Sequence, residues 1–126
     1  MTALTAARRT VVTAAAALVL VLIFGPLASA GDFRIRAKEV DPNVYRWRPK
    51  SLTVPDGSRV VWRIIDGIHN VTSTSNNWSK TSGNIGEGGR TTFTFNTEGT
   101  YRYRCTLHST LSSGDCNGMC GKVTVT

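Results

Sequence analysis

Cys105 and His108 stand three positions apart, and Met119 follows where the last apolar run of the chain begins. The other histidine of the chain is His69. Together these side chains offer a thiolate, two imidazoles and a thioether, all soft donors. A His₂Cys set with a weak axial thioether suits copper in a one-electron site. Zinc is the chemical competitor, but a thioether is a poor zinc ligand and structural zinc prefers Cys₄ to Cys₂His₂ sets. Taken singly, each residue also has a structural reading: surface histidines, a buried core thiol and a gap-filling methionine. Their grouping on one stretch, with a matching histidine upstream, favours copper.

Such donors need a frame, and beyond Ala30 the pattern is strand throughout. Phe33-Arg34-Ile35-Arg36-Ala37 alternates apolar and basic residues, and Ser51-Leu52-Thr53-Val54 is a short run closed by the turn Pro55-Asp56-Gly57-Ser58. Arg59 to Ile65 is the longest apolar run, whereas Thr72 to Gly89 is rich in Ser, Thr, Asn and Gly and is expected to hold little regular structure. Thr91 to Phe95 alternates, Glu98-Gly99 turns the chain into Thr100 to Cys105, and Gly121 to Thr126 closes it. Period two sends Tyr101, Tyr103 and Cys105 to one face and Arg102 and Arg104 to the other, so Cys105 points inward. Short strands with regular turn signals and no helical period mean a small antiparallel β-sandwich. Cys105 ends one strand, Met119 starts the next and His108 lies between them, so three donors belong to one end of the sandwich. His69, in Asp66-Gly67-Ile68-His69-Asn70, reaches that end if its strand neighbours the last two.

Met1 to Ala30 differs in composition from the rest. Arg8 and Arg9 form a basic segment, Val11 to Phe24 an almost unbroken apolar run, and Ala28-Ser29-Ala30 a small-residue cleavage signature. Residues 1–30 are read as a signal peptide and residues 31–126 as one domain. The alternative is an anchor over residues 11–24, short of the about 20 residues that a spanning helix needs. Arg8-Arg9-Thr10-Val11-Val12 also loosely resembles a twin-arginine signal. Either route places the protein in the periplasm or outside the cell, held at the membrane if the segment stays. Asn70-Val71-Thr72 and Asn77-Trp78-Ser79 match glycosylation acceptors, which a bacterial type of signal makes chance matches.

Three cysteines are an odd number for an exported chain. Cys116 and Cys120 can bridge each other in an oxidising compartment, leaving Cys105 as a ligand or a reactive thiol. Without the leader the chain keeps thirteen of its fifteen basic side chains and all eight acidic ones, a net charge of +5. Basic residues recur at every second position at Arg34, Arg36 and Lys38, again at Arg46, Arg48 and Lys50, and at Arg102 and Arg104. Such spacing marks a solvated outer strand face more readily than a dedicated patch. A partner with an acidic docking face is compatible through charge steering. Nucleic acid is not, since the chain carries no recognition motif and is read as exported.

The ordered pieces resemble the cupredoxins, the small blue copper proteins, and most closely their plastocyanin-like branch. The resemblance rests on Leu52-Thr53-Val54-Pro55-Asp56-Gly57 followed by Val60-Val61-Trp62, and on Asp66 leading to His69-Asn70. It continues through the ladder Phe93, Phe95, Gly99, Tyr101 and Tyr103 into Cys105-x-x-His108, then Gly118-Met119-x-Gly121-Lys122-Val123-Thr124-Val125. It implies an all-β Greek-key sandwich in which His69, Cys105 and His108 bind copper in a plane with Met119 as the long axial ligand. It also implies that Asn70 braces the thiolate segment, and that electrons leave through the edge of His108 at an apolar end where redox partners dock, with Ile68, Leu107 and Leu111 as candidates for its rim. The chain departs from the pattern in two places: the His69 segment is slightly short, with apolar Ile64 or Ile65 where an asparagine is often found, and ten residues separate His108 from Met119, where plastocyanin-like proteins have four. An insert of that size carries Met119 off the metal unless it bulges outward with its ends held, and a Cys116–Cys120 bridge would hold them. Both histidines are used by such a site, so no second copper centre and no nucleophile–base pair remain for an oxidase or hydrolase. The expected function is a monomeric one-electron carrier. Copper storage or delivery, and a metal-free structural sandwich, are the rivals.

Overall fold

Wherever apolar and polar residues alternate, the chain forms a strand. The structure is a computed structural model and describes residue 25 and residues 28–126. The leader reading, Met1 to Ala30, lies outside the described residues apart from 25 and 28–30. Eight strands follow: β1 Asp32–Asp41, β2 Val44–Arg48, β3 Ser51–Val54, β4 Ser58–Ile64, β5 Thr72–Ser73, β6 Arg90–Phe95, β7 Gly99–Ser112 and β8 Asp115–Val125. They make two four-stranded sheets, in the orders β2-β1-β4-β6 and β3-β8-β7-β5. The fold is an all-β sandwich. Most neighbours are antiparallel, but β1–β4 and β3–β8 run parallel. The chain leaves the first sheet after β2 and enters the second at β3, so β3 arrives beside the last strand rather than folding back on β2.

Inward positions of both sheets fill the space between them. Ile35, Ala37, Val60, Trp62 and Ile64 from the first sheet meet Tyr101, Tyr103, Val123 and Val125 from the second, all buried. Trp62 stands edge-on to Tyr103 with ring centroids 5.3 Å apart and stacks on Trp78 at 6.3 Å. Edge-on and offset arrangements are the favoured geometries for such rings, and truncating a buried aromatic of this kind typically costs about 3–5 kcal/mol. Trp78 comes from the polar passage between β5 and β6. Its Nε1–H donates to the Arg102 carbonyl at 3.0 Å, which pins that irregular stretch to the sheet.

The β7–β8 pair departs from the simple loop that the sequence suggests. Strand pairing resumes beyond His108, with Ser109 opposite Gly118, Thr110 opposite Asn117 and Ser112 opposite Asp115. Ser113 (φ 50°) and Gly114 (φ 86°) close it as a two-residue turn with both residues left-handed, the combination that matches the twist of a hairpin. The residues between His108 and Met119 therefore pair with one another.

Candidate metal centre

The ladder between β7 and β8 breaks once. Arg104 pairs with Cys120 and Ser109 with Gly118; between these two points β7 carries Cys105, Thr106, Leu107 and His108, and β8 carries Met119 alone. Four residues thus swell out opposite one. The swelling is clamped at its base, because the Ser109 hydroxyl donates to the Cys105 carbonyl at 2.5 Å and Arg104 Nη1 donates to the Ser109 carbonyl at 3.3 Å. Cys105 and Met119 are fully buried and His108 is half-buried. Within β8, on either side of Met119, the sulfurs of Cys116 and Cys120 lie at disulfide distance, 1.99 Å.

His69 arrives from the other sheet, on the segment that follows β4. Its backbone exchanges two hydrogen bonds with Ile85, His69 N to Ile85 O at 3.0 Å and Ile85 N to His69 O at 2.7 Å. Its ring Nε2–H donates to the Asp66 carbonyl at 2.7 Å, while its Nδ1 is buried with no protein partner. A buried, unpartnered ring nitrogen is costly unless something binds it. His69, Cys105 and His108 each bring one donor atom into a cluster whose members all lie within 4.8 Å of one another. Cys105 Sγ is 3.6 Å from His108 Nδ1. Burial lowers the pKa of both imidazoles, partly offset at His69 by its hydrogen bond to Asp66, and so favours the neutral form that can ligate. Together with buried Met119, this His/Cys/His/Met arrangement fits one type 1 copper ion.

Asn70 ties the two halves of the site together. Its backbone N–H points at Cys105 Sγ at 3.5 Å, and its side-chain oxygen accepts from the Thr106 amide at 3.1 Å and the Thr72 hydroxyl at 2.8 Å. Its Nδ2 donates to Thr106 Oγ1 at 2.8 Å and to Asn84 Oδ1 at 3.0 Å. One side chain therefore holds the thiolate segment against the histidine segment.

Comparison with known proteins now bears on the same residues. Residues 36–126 match the model for copper-binding proteins of the plastocyanin/azurin family. The chain belongs to that family. Among solved structures, a purple cupredoxin from Nitrosopumilus maritimus is 27% identical, with a TM-score of 0.59 over 75% of this chain and 100% of that one. A reduced amicyanin variant is 22% identical, with a TM-score of 0.60 over 75% of this chain and 82% of that one. A copper-containing nitrite reductase from Thermus scotoductus is 21% identical, with a TM-score of 0.57 over 82% of this chain and 23% of that one. The last two likenesses speak to the fold. No curated protein sequence matches.

One cupredoxin residue was not legible as part of the site. Tyr45 of β2 packs its ring 4.9 Å from His69 and 4.6 Å from His108, beside the 4.7 Å contact of the two imidazoles. The alternation Tyr45-Arg46-Trp47-Arg48 was the available signal, since it puts Tyr45 and Trp47 on the inner face; Trp47 is buried, 6.1 Å from His69.

The closed register also predicts a sensitive glycine. Gly118 has φ 97°, and a Cβ there would fall on the His108 carbonyl oxygen. Gly118→Ala is expected to destabilise the metal-free protein by about 1–3 kcal/mol or more, each kcal/mol lowering Tm by about 4–8 °C in a domain of this size. Gly86→Ala, in open space, is the control. Equal melting points for the two variants would show that the break in the ladder can relax.

Proposed function

We propose that this cupredoxin is a soluble one-electron carrier whose metal ligands are His69, Cys105, His108 and Met119. The reading is carried by the convergence of these donors at one end of a rigid sandwich, with one imidazole edge left accessible. Copper, when bound, supplies a single electron through the Cu(II)/Cu(I) couple. The protein's part is to keep the donors still. Cys105 accepts the Asn70 N–H, and the Nε2–H of His69 is committed to the Asp66 carbonyl, which aims Nδ1 at the site. The hairpin register keeps Met119 opposite the ligand segment. Half-buried His108 is the exit for the electron, and exposed Ile68, Leu107 and Leu111 supply an apolar rim for docking.

A carrier role is favoured over an enzymatic one because both histidines belong to this site. The chain spans 23% of the nitrite reductase it resembles, so that protein's chemistry is not transferred here. The chain's excess of basic residues supports redox partners with acidic faces, met by a monomer. Residues 1–30 act as an export leader or, if retained, a membrane anchor over 11–24, and residues 31–126 work in the periplasm or outside the cell.

Adding Cu(II) to the purified protein tests the reading. An intense blue to purple colour that a mild reductant bleaches reversibly is expected. A colourless complex that yields Cu(I) to a chelator would instead mean delivery, and absence of binding a structural sandwich.

A further inference from the structure

The pairing of β2, β1, β4 and β6 brings together basic residues that the sequence scatters. Arg48 stands opposite Arg36, Arg36 opposite Arg63, and Arg63 opposite Arg90, so one arginine from each strand forms a row across the whole sheet. All four point away from the core and are exposed. Lys38 opposite Arg46 adds a second row towards the metal end, and Arg34 opposite Val61 a third. In the fourth row Asp32 is already engaged: both its carboxylate oxygens accept from Arg59, at 3.0 and 2.5 Å. Eight of the thirteen basic residues that follow residue 30 thus share one face with two carboxylates in the paired rows, Asp32 and, opposite Val44, Asp41.

Like charges placed directly opposite one another destabilise a sheet. Adjacent strands lie about 4.8 Å apart, so the row concentrates four guanidinium groups over about 15 Å. Such an array is stabilised by whatever brings a dense layer of anions to it. We infer that this outer face is a docking surface for an anionic phospholipid membrane.

Two observations favour a lipid surface over an acidic protein. The rows contain no aromatic residue, and their apolar members are two half-buried valines, Val44 and Val61, whereas protein interfaces carry an apolar, aromatic-rich core. A face that is almost all charge suits a layer of headgroups, with guanidinium forks matching phosphates two bonds at a time. The second observation is where the chain enters. Residues 25–31 join the apolar run Val11 to Phe24 to Asp32 at the start of β1, and seven residues span at most about 25 Å. A leader retained in the membrane would keep the start of β1, at the edge of this face, within that distance of the bilayer. The metal cluster sits at the end of the strands rather than on this face. An adsorbed molecule would therefore keep the His108 end at the rim, free to meet a partner in the same membrane.

The test needs no metal, so it is independent of the electron-carrier reading. The full chain is sedimented with phosphatidylcholine vesicles and with vesicles that also contain phosphatidylglycerol. The first measures attachment through the leader, and the difference reads the face. Arg36→Gln, Arg63→Gln and Arg90→Gln together should weaken the phosphatidylglycerol-dependent binding by about 100-fold, as expected for three cations near an anionic surface. Lys50→Gln, Arg102→Gln and Lys122→Gln, an equal charge change on the opposite sheet, should weaken it only a few-fold. Raising salt from about 0.1 M to about 1 M, which shortens the screening length from about 10 Å to about 3 Å, should release the phosphatidylglycerol-dependent fraction. Equal losses in the two triple variants, or binding indifferent to phosphatidylglycerol, would overturn the inference. Capture by immobilised polyglutamate without capture by the vesicles would overturn it in favour of an acidic protein. Circular dichroism of both variants confirms that the sheets remain.

Discussion

Cys105→Ser is expected to abolish the intense visible absorption of the copper-loaded protein outright. That colour requires a soft thiolate bound to Cu(II), and an alcohol oxygen is neither soft nor ionised at neutral pH. The structure makes this substitution unusually direct. Cys105 is fully buried, its Sγ is 3.6 Å from His108 Nδ1, and it is the free cysteine among the described residues, so no other thiol stands ready to replace it. Replacement also has a structural cost, because a hydroxyl at this site must find a partner or lose about 1–3 kcal/mol. Melting the metal-free variant separates the two effects. A folded, copper-binding but colourless protein is the expected outcome; a variant that keeps its colour would remove Cys105 from the ligand set.

Met119 carries the second large effect, and two substitutions divide its roles. Met119→Ala empties a fully buried position. A cavity left by a buried side chain of this size costs about 2–5 kcal/mol, measured by denaturant unfolding without metal. Met119→Gln keeps most of the volume but replaces a thioether with an amide. Since the axial donor tunes a type 1 site, a shift in both the visible band and the reduction potential is expected. An unchanged spectrum in Met119→Gln would show that the thioether lies away from the metal and serves the core alone.

The strands could be read because period two is a local property. Phe33 to Ala37, Ser51 to Val54, Thr91 to Phe95 and Thr100 to Cys105 each alternate, and each lies within a strand. The inward direction of Cys105 followed from Tyr101 and Tyr103 on the same side, and all three are buried. The hairpin beyond His108 was harder to see. Ser109 to Gly118 is mostly small and polar, so the alternation that marks a buried face is missing, and its pairing depends on Ser113 and Gly114 adopting left-handed conformations. Tyr45 escaped for a related reason: its alternation could be seen, but not which end of the sandwich it would reach.

The sequence by itself determined the donors and their order along the chain. With two histidines, Cys105 and Met119 available, the chemistry of the set was fixed by residue type. Tertiary structure alone decided how those donors meet. Ten residues separate His108 from Met119, and the register shows where they go: Arg104 opposite Cys120 and Ser109 opposite Gly118 set Met119 opposite the segment Cys105 to His108 and turn the extra residues into a separate hairpin. The same holds for Asn70, whose bonds to Thr106 and Cys105 cross 36 and 35 positions, and for the arginine row drawn from four strands. Periodicity records which way a side chain faces within its own strand. Which residue of a distant strand lies beside it is set by pairing and packing across the whole sandwich.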